Sequence, residues 1–132
     1  KWRRMHGGEG IEGVWEAIDD RFDQPRAHIV LKIENNELHG YVRKIMLLPH
    51  EGNYPICLAC KDDLKNQNIV GMIIMQGFKS EGKSWSDGTI LDPGNGTTYS
   101  ANFWLTDENT LKIRGYWGPF FRTQEWKRVG DF

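Results

Sequence analysis

Eight short runs of strand-forming residues, each bounded by turn formers, divide the chain at about Gly13–Ile18, Arg26–Glu34, Leu38–Met46, Ile69–Phe78, Ser84–Leu91, Thr97–Thr106, Thr110–Trp117 and Phe120–Lys127. In most of them apolar residues recur at every second position, the period of a strand with one face in a core. No long window sustains an apolar stripe at helical spacing; the polar stretch Cys60–Gln67 is the best short helical candidate. The connections carry hairpin chemistry. Asn35-Asn36 tolerates the positive φ of a tight turn, and Asp92-Pro93-Gly94-Asn95-Gly96, Asp107-Glu108-Asn109 and Gly118-Pro119 are clusters of turn formers. One connection is long: Leu47 to Asn68, with both cysteines and Pro49 and Pro55. A connection of that length in a compact domain is commonly functional.

Eight strands joined by short hairpins form a meander, which loses its two edges by closing on itself. The expected fold is an all-β, up-and-down antiparallel barrel with one long loop. The alternative, a two-sheet sandwich, needs longer crossovers than these turns provide. The chain has 132 residues, 39% of them hydrophobic and 27% charged, enough for one barrel over residues 11–132. Residues 1–10, with Arg3, Arg4 and Gly7-Gly8, read as a tail or expression scar, and the start at Lys1 fits a chain whose leader has been removed. A formal net charge of −1 argues against a dedicated nucleic-acid binder. The longest apolar run, Ile69–Met75, is far short of a membrane-spanning helix. It is apolar on both faces, so its outer side is expected to be covered by the long loop or by another subunit.

Alternation assigns Ile29, Leu31 and Ile33, then Tyr99, Ala101, Phe103 and Leu105, then Leu111, Ile113, Gly115 and Trp117, to the barrel interior. Lys112, Arg114 and Tyr116 fall on the opposite face. Small inward residues (Gly71, Ala101, Gly115) leave room, and Met72 and Met75 are adaptable liners. Candidate lining or mouth residues for a ligand are therefore Leu31, Met72, Tyr99, Phe103, Ile113, Tyr116, Trp117 and Phe120, with Tyr99, Tyr116 or Arg114 orienting it. Trp117-Gly118-Pro119-Phe120-Phe121 puts large aromatics at a hairpin tip and reads first as a plug for one barrel end, otherwise as a ligand mouth or partner patch.

Gly13-Val14-Trp15 opens the first strand, and the last strand carries Arg122 and Arg128, either of which can lie across an indole face. A Gly-x-Trp on strand one with an Arg on the final strand resembles the calycin superfamily, the lipocalins and their relatives. More closely, the order Gly13-Val14-Trp15, Leu38-His39-Gly40, Cys57-Leu58-Ala59-Cys60, Gly88-Thr89-Ile90-Leu91-Asp92-Pro93, Asn95-Gly96, Tyr99, Leu111-Lys112-Ile113-Arg114-Gly115-Tyr116 and Arg122-Thr123-Gln124-Glu125-Trp126 is similar to a family of small exported bacterial proteins of unknown function. The resemblance spans about residues 12–128. It implies a lipocalin-like barrel, with Gly13, Trp15 and the final-strand arginine (Arg122) as structural residues, and a periplasmic or secreted location. It implies no established activity. The chain departs from the family after Cys60, where Lys61-Asp62-Asp63 and Asn66-Gln67-Asn68 replace a Gly-Asp-containing turn and a Gly before Pro.

Cys57-x-x-Cys60 is read as a local structural disulfide, suited to an oxidising compartment. A redox pair would need an electropositive helix N-terminus and a βαβ context. Half a zinc site would need two further ligands, and His50 is the only histidine nearby. His6, His28, His39 and His50 show no ligand spacing, and His28 and His39 alternate with apolar neighbours and so face water. The acidic pairs Asp19-Asp20 and Asp62-Asp63 read as solvated turn charge. Asn95-Gly96-Thr97 is formally a glycosylation sequon and reads as a turn. With no nucleophile elbow, phosphate loop or dinucleotide fingerprint, no enzyme activity, cofactor or metal is expected. The expected partner is a small apolar or amphipathic molecule in the barrel; the alternative is a filled barrel that presents its long loop or hairpin tip to a second copy or an envelope protein, and a third reading is a metal- or redox-dependent enzyme that uses the Cys57–Cys60 loop.

Overall fold

The computed structural model describes residues 9–19, 24–46, 56–57, 60–93 and 96–130. Its strands are β1 Gly13–Asp19, β2 Gln24–Glu34, β3 Glu37–Ile45, β4 Ile73–Glu81, β5 Ser84–Asp92, β6 Thr97–Asp107, β7 Thr110–Trp117 and β8 Phe120–Gly130. They pair antiparallel in sequence order, and β8 pairs with β1, so the sheet is a closed eight-stranded barrel. Helix is confined, among the described residues, to two 3-10 turns, Glu9–Ile11 and Asp62–Leu64. The second is all that forms of the helix expected over 60–67. Strand β4 begins at Ile73, later than the apolar run suggests, because residues 69–72 turn back across β3: Gly71 N–H donates to Val42 O, and Val42 N–H to Met72 O.

Up-and-down order puts alternate connections at opposite ends. At one end lie the tight turns at 35–36, 82–83 and 108–109 and the Glu9–Ile11 turn; at the other lie the β1–β2, β3–β4, β5–β6 and β7–β8 connections. Asn35 and Asn36 have φ of 54° and 67°, the left-handed pair that a two-residue hairpin needs. In the β6–β7 turn the Asn109 N–H donates to Asp107 Oδ1 at 2.8 Å, and this bond lowers the Asp107 pKa from the usual carboxylate value.

The first end is shut. Trp15 has no accessible surface, and its indole N–H donates to Ile11 O at 2.9 Å. The Arg128 guanidinium carbon lies 4.4 Å from the centre of that indole. Its nitrogens donate to Glu12 O at 2.8 Å, to Glu108 O at 2.8 Å and to Gly10 O. One side chain thus fastens the last strand to the chain segment that enters the first and to the β6–β7 turn. Gly13 makes this approach possible: its φ is +142°, and a Cβ there would sit 2.6 Å from Arg128 Nη1. Glu9 and Gly10, assigned from sequence to a tail, belong to this closure.

The lock corrects one assignment. Arg122 was expected to be the final-strand arginine over Trp15, but β1 pairs Trp15 with Arg128, whereas Arg122 pairs with Gly115 on β7. Six residues of strand separate the two arginines by about 20 Å.

Candidate functional site

The inner face is packed with large apolar side chains near one end and mixes small and polar residues toward the other. Next to the closed end they are Trp15, Leu31, Leu38, Phe78, Trp85, Phe103, Leu111 and Trp126, all buried in one cluster. Leu31, Leu38, Met75, Phe78, Phe103 and Leu111 have no surface accessible to water from inside or out. The Phe78 and Phe103 rings meet edge to face, with centroids 4.8 Å apart. Toward the other end the same faces carry Ala17, Ala27, Ala101 and Gly115, and β8 carries Gln124 and Arg122. The half-buried Gln124 continues the face of Trp126, whose indole N–H donates to its side-chain oxygen at 3.4 Å. Arg122 is exposed although it shares that face, because it stands at the rim.

Backbone register brings Gly88, Ala101 and Gly115 into one lateral row that ends at Arg122. The glycines in the interior are not equivalent. A Cβ at Gly88 would lie 2.5 Å from the Phe78 ring, and one at Gly40 would lie 2.8 Å from Leu31 Cδ2. A Cβ at Gly115 would find, among the described residues, only Tyr99 Cβ, at 4.0 Å. The first two glycines make way for side chains already there. Among the described residues, the third borders space. The candidate site is this mouth half, floored by the packed cluster and edged by Tyr99, Gln124 and Arg122.

The candidates read from sequence separate accordingly. Leu31, Phe103 and Ile113 are buried in the core cluster. Tyr99 is half-buried on the inner face beside Ala101, where a mouth residue belongs. Tyr116 and Arg114 lie outside the barrel: Tyr116 Oη donates to Asn102 Oδ1 at 3.2 Å, and Arg114 Nε to Thr123 Oγ1 at 2.9 Å. Neither orients a ligand in the interior. The Trp117 side chain lies outside the described residues. Phe120 is 63% exposed and Phe121 57%, so these two rings plug nothing. Val70 and Ile73 are 43% and 48% exposed, so the long loop leaves these two side chains of the run uncovered. Gln124, absent from the sequence reading, was available by counting in twos from Trp126.

The long loop contributes the disulfide. Cys57 and Cys60 are bonded to each other and buried with Met72 and Ile69 in the core cluster. Cys57 N–H donates to Gln67 O at 2.9 Å, and Asn66 N–H to Cys57 O at 2.8 Å. Cys57 Sγ rests 3.4 Å from Pro93 O; a disulfide sulfur has no proton to donate, so this is packing of the loop against the β5–β6 connection. Both sulfurs are bonded to each other, so neither is a thiolate able to bind a metal ion. His50 lies outside the described residues. Opening the disulfide by Cys57→Ser with Cys60→Ser is expected to cost about 2 kcal/mol, the loop-closure value for so short a span, read as a shift in the urea midpoint with the far-UV spectrum retained.

The two histidines among the described residues each stand beside a glutamate. His28 Nε2 is 3.4 Å from Glu16 Oε1, and His39 Nε2 is 3.2 Å from Glu34 Oε1, both outside the barrel as alternation indicates. Among the described residues no group of three or more His, Cys, Asp or Glu is placed to hold a metal ion. No described helix is long and apolar enough to cross a membrane.

Comparison with known proteins agrees with this architecture. The chain is similar to a solved structure described as "Protein HP1028 from the human pathogen Helicobacter pylori belongs to the lipocalin family", with a TM-score of 0.76 over 92% of this chain and 84% of that one. The identity is 15%, so the likeness is one of fold: a lipocalin-like barrel. No curated protein matches the chain by sequence. Residues 13–128 match the family described as "Uncharacterized protein conserved in bacteria (DUF2147)", which takes in the closing glycine, Trp15, both cysteines and Arg128, and the chain belongs to that family.

Proposed function

We propose that this is a non-enzymatic binding protein that takes a small amphipathic molecule into the mouth half of its barrel. The observation that carries the reading is that, among the described residues, a Cβ at Gly115 would meet only Tyr99 Cβ, at 4.0 Å, on the inner face above the packed floor. The apolar part of the ligand lies over Ala17, Ala27, Ala101 and Gly115. Its polar end reaches Tyr99, Gln124 and Arg122, a few polar groups on an apolar wall, as ligand sites of this kind are built. A guanidinium at the rim favours a carboxylate or another anion, held by charge-assisted hydrogen bonds while the tail stays dry. Met72, buried near the disulfide, is the remaining adaptable wall. The disulfide fits an exported, oxidising location.

The probe is 11-dansylaminoundecanoic acid, whose emission shifts to the blue in an apolar site. The wild type is expected to bind it and Gly115→Leu to lose it, since the new side chain occupies the space without a steric conflict at Cβ. Arg122→Gln is expected to weaken the carboxylate probe about tenfold, with little effect on an uncharged analogue. A wild-type protein that shifts neither probe overturns the proposal.

A further inference from the structure

The apolar residues left in water are unevenly distributed. Among the described residues, the exposed large hydrophobics Leu64, Val70, Ile73, Phe120 and Phe121 all belong to the mouth end, and Val129 alone to the closed end. They come from two separate connections, the β3–β4 loop and the β7–β8 hairpin, so they flank the mouth and do not form one strand's outer stripe. The hairpin has a further property. The chain carries 18 acidic residues, yet Arg114–Gln124 contains none; it holds Arg114, Arg122, Tyr116, Trp117, Phe120 and Phe121. Arg114 is held in place over aromatic faces, its guanidinium carbon 4.6 Å from the centre of Phe121 and 5.4 Å from that of Trp104. Tyr116 stands beside Phe121 at 6.3 Å between centroids.

Aromatic rings with arginines among them and no acidic side chain match a surface that is negative outside and apolar just beneath. We propose that the β7–β8 hairpin docks the barrel, mouth first, on an anionic lipid bilayer, with Phe120 and Phe121 entering the headgroup region and Arg114 and Arg122 meeting lipid phosphates. Interfacial anchoring combines these two terms, apolar burial and attraction to anionic lipid. A net charge of −1 gives the whole molecule no general attraction to such a surface, so the contact is local to this tip. The arrangement brings the mouth to a reservoir of amphipathic molecules. It stands apart from ligand uptake, because docking is measured with no ligand present.

The test is sedimentation of the intact protein with vesicles of phosphatidylcholine alone or with about 30% phosphatidylglycerol, the composition providing the anionic charge. Binding is expected with the anionic vesicles and is expected to weaken on raising salt. Phe120→Ser with Phe121→Ser is expected to reduce it at least about tenfold. Arg114→Gln or Arg122→Gln should each reduce it about fivefold at low salt, toward the level seen with phosphatidylcholine alone. Val129→Ser, at the closed end, is the control and should leave it unchanged. All of these positions but Arg114 are exposed, and far-UV spectra and thermal midpoints establish that the variants fold. The proposal is overturned if the wild type sediments with neither vesicle, or if the two serine substitutions leave sedimentation intact. It is also overturned if the tip instead drives concentration-dependent dimerisation in vesicle-free buffer, abolished by the same substitutions, which assigns it to a second copy of the chain.

Discussion

Trp15→Ala is expected to lower the free energy of unfolding by about 3–5 kcal/mol, the range for deleting a large aromatic side chain from a packed core. The position is an extreme case, because the indole has no accessible surface and also holds the entering chain through Ile11 O. Its partner acts by a different route. Arg128→Met keeps a long apolar stem but removes the donors to Gly10, Glu12 and Glu108. Three backbone carbonyls lose their partner, two of them where water can replace it, and a loss of about 1–2 kcal/mol is expected. Urea titrations of the two single variants and the double one give the coupling, expected at about 1–2 kcal/mol for a guanidinium over an indole away from bulk water. Arg122→Met should stay within about 0.5 kcal/mol of wild type, as surface substitutions do. Equal losses at Arg122 and Arg128 would refute the assignment of the lock.

The second large effect comes from adding a single methyl group. Gly88→Ala places Cβ 2.5 Å from two carbons of the Phe78 ring and 2.7 Å from the backbone oxygen of Gln76. The ring is fully buried and already touches Phe103, and the carbonyl belongs to the neighbouring strand. A loss of about 3 kcal/mol is expected, the upper part of the range for overpacking. Gly40→Ala meets the ends of Leu31, Ile29 and Met75 side chains, which have some freedom to shift, and should cost about 1 kcal/mol. Gly115→Ala meets ordinary contact distance and should be neutral or stabilising by about 0.5 kcal/mol, since strand glycine is costly to order. Thermal midpoints of the three variants therefore map how filled the barrel is at three positions of its wall. If Gly115→Ala were as damaging as Gly88→Ala, the mouth half would be packed and the ligand proposal would fail with it.

Much of the barrel is legible in the sequence because its determinants are local. Strand period and turn residues lie within a few positions of each other, so eight strands and their order follow from Asn35-Asn36, Asp107-Glu108-Asn109 and Gly118-Pro119. Parity along β7 likewise places Arg114 and Tyr116 outside, opposite Ile113. What was not legible depends on distant pairing. Arg122 and Arg128 have the same parity on one strand, and only the register against β1 decides which of them meets Trp15. The rim of the barrel is also set by pairing: Phe120 and Phe121 read as a plug from their size, yet they stand beyond the last level that neighbouring side chains fill. Whether Phe103 or Tyr99 lines a cavity is decided by the volume that opposite strands place there, which Gly88 and Gly115 reveal only with the structure in hand.

Every pairing in the sheet but one joins strands that follow each other in the chain, and the exception is the β1–β8 seam. Apart from the long β3–β4 connection, these pairings close short loops and assemble without long searches. The seam instead brings together groups 116 and 118 residues apart, Glu12 and Gly10 with Arg128. The entropy of closing nearly the whole chain is thus concentrated at a single juncture, opposed there by one indole, one guanidinium and a short ladder of backbone hydrogen bonds. The Gly-x-Trp motif and its arginine therefore do for the topology what a cross-link would do: they determine whether eight consecutive hairpin strands remain an open ribbon, with two sticky edges, or become a ring with none.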